Sequence, residues 1–350
     1  MEGTVAAGFE PVADTFRELL DTGAETGASV AAYVHGDLVV DLWGGWADAA
    51  RTRPWQAGTL ATVFSAGKPV AAAAVLRRIA DGAIELDRPI AEYWKAFGRP
   101  TATVRHALAH QAGLPAVAEP LTPAEALDWD RFTAAIAATP FEWEPGTAVG
   151  EHALTYGNIL GAILRGATGE TVGDVVRTFG VDVHFGLSGV DAARCAEVEH
   201  GVPTWPADSI DGHGDLWARA LGNPAGLLAT EVLNGPAWRT GELPAVNAHA
   251  TARGLAGFYA ALPRILPPEL LAEALAPQAD GFDLLLQEDA VWTLGWRRDE
   301  TWIGMGGIGG SSAGGSSAGE RTDYWMAYVT RRLAGHDRSN ALYDAVEACL

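Results

Sequence analysis

The chain is poor in cysteine, in basic residues and in long apolar runs, and each scarcity removes a class of function. It has two cysteines, Cys195 and Cys349, which form no metal-binding spacing and no disulfide framework. Lysine and arginine number 24 against 44 aspartate and glutamate, a formal charge of −20. Phosphate recognition wants basic patches and none is visible, so no nucleic-acid partner is expected. No stretch approaches the ~20 apolar residues of a membrane span, so no membrane partner is expected either. The opening residues, Met1 to Ala7, lack the basic and apolar regions of a signal peptide, and the expected location is cytoplasmic. Gly-x-Ser-x-Gly occurs only inside the glycine-serine repeat, at Gly310–Gly314 and Gly315–Gly319, where no helix opens behind the serine as a nucleophile elbow needs, which counts against a Ser-His-Asp triad. His106 and His110 are four apart, but no His-Glu-x-x-His and no third ligand accompany them, so no metal or other cofactor is expected.

What is present is a chain of 350 residues, 48% of them hydrophobic, long enough for a large core with an inserted subdomain. Residues 10–22 read as a helix with Phe16, Leu19 and Leu20 on one side. Residues 28–34 and 38–43 read as strands joined by a His35-Gly36-Asp37 hairpin. Residues 291–296, 301–305 and 324–330 read as closing strands and 340–349 as a last helix. Strands at both ends with helices between predict an α+β fold, an antiparallel sheet flanked by helices and carrying a mostly helical insert. The expected division assigns residues 1–69 and 256–350 to the sheet part and 70–255 to the helical part, with the site at their seam.

The chemistry is carried first by Ser65-Ala66-Gly67-Lys68, which opens an alanine-rich helix, Pro69 to Ile79. With about 3.6 residues per turn, positions three apart share a face, so Ser65 Oγ lies beside the Lys68 amine. A serine hydroxyl needs such a neighbouring base to act as a nucleophile at neutral pH. The tetrad alone matches many proteins by chance. A second element, Tyr156-Gly157-Asn158, follows the turn Trp143-Glu144-Pro145-Gly146-Thr147. A tyrosine serves beside a serine only if its phenol is acidified, and a nearby ammonium such as Lys68 does that; the plainer reading is a half-buried core aromatic. The run Gly304-x-Gly306-x-x-Gly309 matches a dinucleotide fingerprint in form only. The Gly-Gly-Ser-Ser-Ala repeat behind it, residues 309–313 and 314–318, cannot open a helix and reads as a flexible linker between strands.

Phe64-Ser65-Ala66-Gly67-Lys68, the segment from Thr103 to Pro115, the Trp-Glu-Pro-Gly-Thr turn, Tyr156-Gly157-Asn158 and Gly304 to Ser311 occur in this order. Together they resemble the serine beta-lactamase-related superfamily on its class C side, and most nearly the family VIII carboxylesterases and related acyltransferases. The resemblance runs from about residue 25 to the C-terminus. It implies a beta-lactamase/transpeptidase-like fold, Ser65 as nucleophile, Lys68 as its helical partner and Tyr156 as general base and acid. Asn158 would orient Lys68 or the substrate carbonyl. Met305-Gly306-Gly307 stands where the family has Lys-Thr-Gly or His-x-Gly, and the N–H groups of Ser65 and Ile308 would form the oxyanion hole.

Met305 departs from the cationic or hydrogen-bonding side chain usual there, which argues against penicillin or cephalosporin hydrolysis. The implied reaction is acyl-enzyme chemistry on a small-molecule carboxylic ester. One alternative is transfer of the acyl group to an amine or alcohol acceptor, as in natural-product pathways. Another is a non-catalytic binding module that kept the fold. His152 lies at helical spacing from Tyr156 and Trp143, Trp302 and Trp325 fall near the motifs, each a candidate pocket residue or ordinary packing. The residues leave the acyl group, the acceptor and the oligomeric state open.

Overall fold

The structure, a computed structural model, describes residues 1–207, 214–316 and 324–350. Its frame is a nine-stranded antiparallel sheet drawn from both ends of the chain. The strands are β1 (Glu2–Val5), β2 (Gly27–Val34), β3 (Asp37–Gly45), β4 (Ala279–Asp283), β5 (Glu288–Trp292), β6 (Arg297–Arg298), β7 (Ile303–Gly306), β8 (Ser312–Ser316) and β9 (Tyr324–Thr330). They lie in the order β1-β3-β2-β9-β8-β7-β6-β5-β4. Five helices position the site: α1 (Glu10–Asp21), α2 (Lys68–Ala80), α3 (Tyr156–Thr168), α4 (Ala252–Ile265) and α5 (Asp337–Glu347). The α+β architecture expected from the sequence is present.

Strand β2 is apolar along its length because both of its faces are covered. Ala28, Val30 and Ala32 join Val12 and Phe16 of α1 and Leu342 and Val346 of α5 in one core. Ala31 belongs to the other core, with Ala327 and Val329 of β9 and Leu255 and Phe258 of α4. The β2–β3 hairpin turns through His35 and Gly36, with φ of 52° and 88°, the paired left-handed conformation that a tight hairpin requires.

Helix α2 runs through the middle of the molecule, and its first nine residues, Lys68 to Leu76, are all buried. A helix enclosed on every side lacks a polar face, which explains its run of four alanines. Pro69 sits in its first turn, where a missing N–H costs nothing. The segment entering α2 is anchored by a three-stranded sheet in which Ala61–Thr62 and Val183–His184 both pair with His249–Ala250.

Three expectations need correction. The closing strand expected over 291–296 ends at Trp292, because Gly295 (φ +116°) turns the chain against α2, where an added Cβ would lie 2.2 Å from Ala72 Cβ. The repeat read as a linker is, over 312–316, the interior strand β8; residues 317 and 318 lie outside the described residues. Its glycines are there for close packing: the Trp302 ring lies over both Gly304 and Gly314, within 2.5 Å of an added Cβ at either. Helix α4 runs across the expected boundary at 255/256 and packs on β2 and β9. No helix among the described residues is long and apolar enough to cross a membrane.

Candidate active site

Ser65 lies on a 3-10 turn, Phe64–Gly67, that runs directly into α2. Phe64 before it adopts a φ of +51°, a left-handed conformation that costs a non-glycine residue energy and persists only where packing over-determines it. That packing is visible. The Phe64 ring meets Trp205 and Trp238 with centroids 6.0 and 6.2 Å away. From the other side the glycines after β7 close in: an added Cβ would lie 2.3 Å from the Val63 carbonyl oxygen at Gly307 and 2.7 Å from the Phe64 ring at Gly309. Only glycine lets this turn approach the Ser65 turn so closely.

The three-residue spacing does what helical geometry predicts. Lys68 Nζ donates to Ser65 Oγ at 2.7 Å. The amine is 1% exposed, and its second partner is one the sequence reading missed: Glu151 Oε1, 3.0 Å away and itself buried. Burial holds the Lys68 amine below its ordinary value, and the Glu151 carboxylate opposes that by favouring the ammonium. A buried serine–lysine–carboxylate chain results. The available signal was modest: Glu151 is the one carboxylate between Glu144 and Glu170, set in an otherwise apolar stretch.

Tyr156 is not part of this chain. It is the first residue of α3, its hydroxyl donates to the Leu108 carbonyl at 3.0 Å, and its ring stacks on His110 at 4.3 Å. Burial pushes the phenol well above its ordinary value, the opposite of the acidified phenol expected. The cause is chain geometry: the extended segment after Thr147 brings residue 151 to Lys68, while residue 156 already lies in the core of the helix bundle. Asn158, expected to orient Lys68 or a substrate carbonyl, is also turned away; its Nδ2 donates to Thr133 Oγ1 at 3.3 Å. His152 is scaffold. Its Nδ1–H donates to Gly150 O at 2.8 Å and its Nε2 accepts from Leu114 N at 3.1 Å, so the ring is neutral, and burial pulls it down to about 4. His106 completes the capping box of the helix Val104–Leu108.

The glycine-rich segment does reach Ser65. Met305, Gly306, Gly307 and Ile308 line, with Ser65 and Glu151, a cavity of about 210 Å³. Met305 packs with Val149, Ala290 and Trp292, as an apolar side chain should. The Ile308 carbonyl accepts from Trp205 Nε1 at 3.0 Å, which fixes the peptide beside Ser65. The rest of the wall is mainly apolar, with Leu154, Leu221, Leu228 and Leu286 among its residues. Its tryptophans are Trp217 and Trp292; Trp302 lines the adjoining groove, and Trp143 and Trp325 line neither. Through Arg297, Gly306 and His336 the cavity adjoins a wider groove of about 980 Å³ against α5.

A serine hydrogen-bonded to a helical lysine and facing a glycine-rich strand of an antiparallel sheet points to one class of fold, and comparison with known proteins agrees. Residues 12–348 match the family model described as Beta-lactamase, and the chain belongs to that family. It is 34% identical over 264 residues to the esterase/beta-lactamase LipL of Mycobacterium tuberculosis, covering 67% of this chain and 58% of that protein's length. The crystal structure of a family VIII carboxylesterase superposes with a TM-score of 0.88 at 30% identity, covering 100% of this chain and 99% of the other. A penicillin-binding protein homologue from Caulobacter crescentus gives 0.87 at 31% identity, again covering 100% and 99%. The fold is accordingly the beta-lactamase/transpeptidase-like one that the motifs implied.

Proposed function

We propose that the protein is a serine hydrolase of small-molecule carboxylic esters, with Ser65 as nucleophile and the Lys68–Glu151 pair handling its proton. The observation that carries this is the contact series Ser65 Oγ–Lys68 Nζ–Glu151 Oε1, at 2.7 and 3.0 Å, at the wall of an apolar cavity. Ser65 Oγ attacks the ester carbonyl carbon while Lys68 Nζ takes the hydroxyl proton and passes one of its own to Glu151. The oxyanion lies against the N–H groups of Ser65 and Ile308, the largest stabilisation in such reactions. Collapse breaks the carbonyl–alkoxy bond, and the pair returns the proton to the departing alcohol. Water then repeats the sequence on the acyl-enzyme and releases the acid.

The names of the relatives, esterase/beta-lactamase and carboxylesterase, support an ester substrate. Met305 puts an apolar side chain on the cavity wall, and the charges there are of both signs, Glu151 beside Ser65 and Arg297 toward the groove. The adjoining groove favours a second reading, transfer of the acyl group to an amine or alcohol, because it offers an acceptor room next to the cavity that holds Ser65. The intact ionic chain weighs against a non-catalytic module. Intact-mass spectrometry after incubation with p-nitrophenyl acetate and a panel of amines, wild type against Ser65→Ala, decides among them. An acetyl adduct dependent on Ser65 that drains to acetate supports the hydrolase, and drainage to amide supports transfer. No adduct with this or any wider set of esters overturns both.

A further inference from the structure

Glu151 sits on a strap, residues 147–155, outside any named helix or strand. Its position therefore depends on what its backbone N–H groups meet. Gly150 N donates to His110 O at 3.2 Å, and His152 N to His110 Nδ1 at 3.0 Å. Between them, Glu151 N points at the carboxylate of Asp283, 3.2 Å from Oδ1 and 3.0 Å from Oδ2.

Asp283, at the end of β4, is 0% exposed, and no cation pairs with it among the described residues. A buried carboxylate without a counter-ion costs several kcal/mol unless N–H donors fill its lone pairs. Here they do: Oδ1 also accepts from Leu285 N at 2.8 Å and Leu286 N at 2.9 Å, and Oδ2 from Trp292 Nε1 at 2.9 Å. Leu286 and Trp292 are walls of the cavity that holds Ser65. A single carboxylate thus ties the Glu151 backbone to the pocket wall. A turn cap alone needs one oxygen, which asparagine supplies; the second oxygen is needed for Trp292 and for the shorter of the two Glu151 contacts.

We infer that Asp283 is a positioning residue, which clamps the Glu151 backbone so that the Glu151 carboxylate stays on Lys68. The inference rests on the reading that Glu151 handles the Ser65 proton. In Asp283→Asn the two loop N–H groups keep the amide oxygen on their side and turn its NH2 toward the Glu151 and Trp292 donors. Donor then faces donor, and the strap moves away from Lys68. A displacement of about 1 Å in such a group costs roughly 10²-fold in rate.

The test is steady-state turnover of p-nitrophenyl acetate by wild type, Asp283→Asn, Glu151→Gln and the double variant, with rates taken per Ser65-reactive molecule counted by intact mass. Asp283→Asn should lower kcat roughly 10- to 100-fold and leave KM within about threefold. The double variant should be no slower than Glu151→Gln alone, because a residue acting through Glu151 has nothing left to act on. Asp283→Ser, which keeps one acceptor for the loop, should reproduce the kcat loss if the asparagine variant fails to fold. Wild-type kcat in Asp283→Asn and Asp283→Ser overturns the inference, as does a double variant slowed by the full product of the single losses. A Glu151→Gln enzyme at wild-type rate instead removes the reading beneath it.

Discussion

Acidification from pH 7.5 to 5 should destabilise the protein in a way that the buried histidines quantify. His152 and His249 are neutral and enclosed. Burial lowers His152 to about 4, and burial followed by the Arg239 charge lowers His249 to about 3. The unfolded chain takes up a proton on each below about 6.5, whereas the folded chain does not until pH falls to the depressed values. Stability is therefore full above pH 6.5 and is lost as pH falls from there toward 4 and then 3. At about 1.4 kcal/mol per unit, each histidine costs about 2 kcal/mol at pH 5, and the two together about 4 kcal/mol. For a chain of 350 residues, with an unfolding entropy of about 2 cal/mol/K per residue, that is a fall in Tm of about 5 °C. Asp283 works in the opposite sense, since burial raises its carboxyl and protonation then favours the folded state, whereas His110, which burial lowers further still, adds to the loss. Differential scanning calorimetry at the two pH values measures it, and His249→Gln should remove about 2 kcal/mol of the pH dependence. A Tm unchanged within about 1 °C would refute the assignment of these rings as neutral and enclosed.

Two further outcomes test the site. Tyr156→Phe should keep turnover within about tenfold of wild type, below the 10²–10⁴ expected of a proton-transfer group, and should lower stability by about 1 kcal/mol because Leu108 loses its donor. Steady-state kinetics and denaturant titration of the same variant measure both. Gly307→Ala should abolish acylation by p-nitrophenyl acetate, because the new Cβ would lie 2.3 Å from the Val63 carbonyl oxygen and drive the strand off the nucleophile turn; intact mass reads the lost adduct.

Local signals in the sequence were legible because they report local geometry. The hairpin at His35-Gly36 and the strand over 324–330 appear as read. Ser65 and Lys68 meet because three residues of helix-entry geometry bring them together, whatever the rest of the chain does. Met305 to Ile308 reach the pocket because a glycine-rich strand can press against the nucleophile turn. Tyr156 was misplaced for the converse reason: a motif of three residues says nothing about the direction of the irregular strap before it, and that direction gives the Lys68 contact to Glu151. The part of the repeat over 312–316 misled in a similar way, since glycine and serine suit a linker in isolation and a strand when Trp302 covers Gly314.

Composition, the two-residue and helical periodicities and the Ser65–Lys68 spacing by themselves determined the α+β class, the sheet drawn from both ends and the pairing of Ser65 with Lys68. Tertiary structure alone decided that Glu151 completes the ionic chain, that Asp283 holds it there, and that Trp217 and Trp292 wall the cavity. These groups come from segments far apart in the chain and carry no periodic signal. Their roles arise only when non-local packing removes water from Lys68 and leaves a buried amine whose charge a carboxylate must balance.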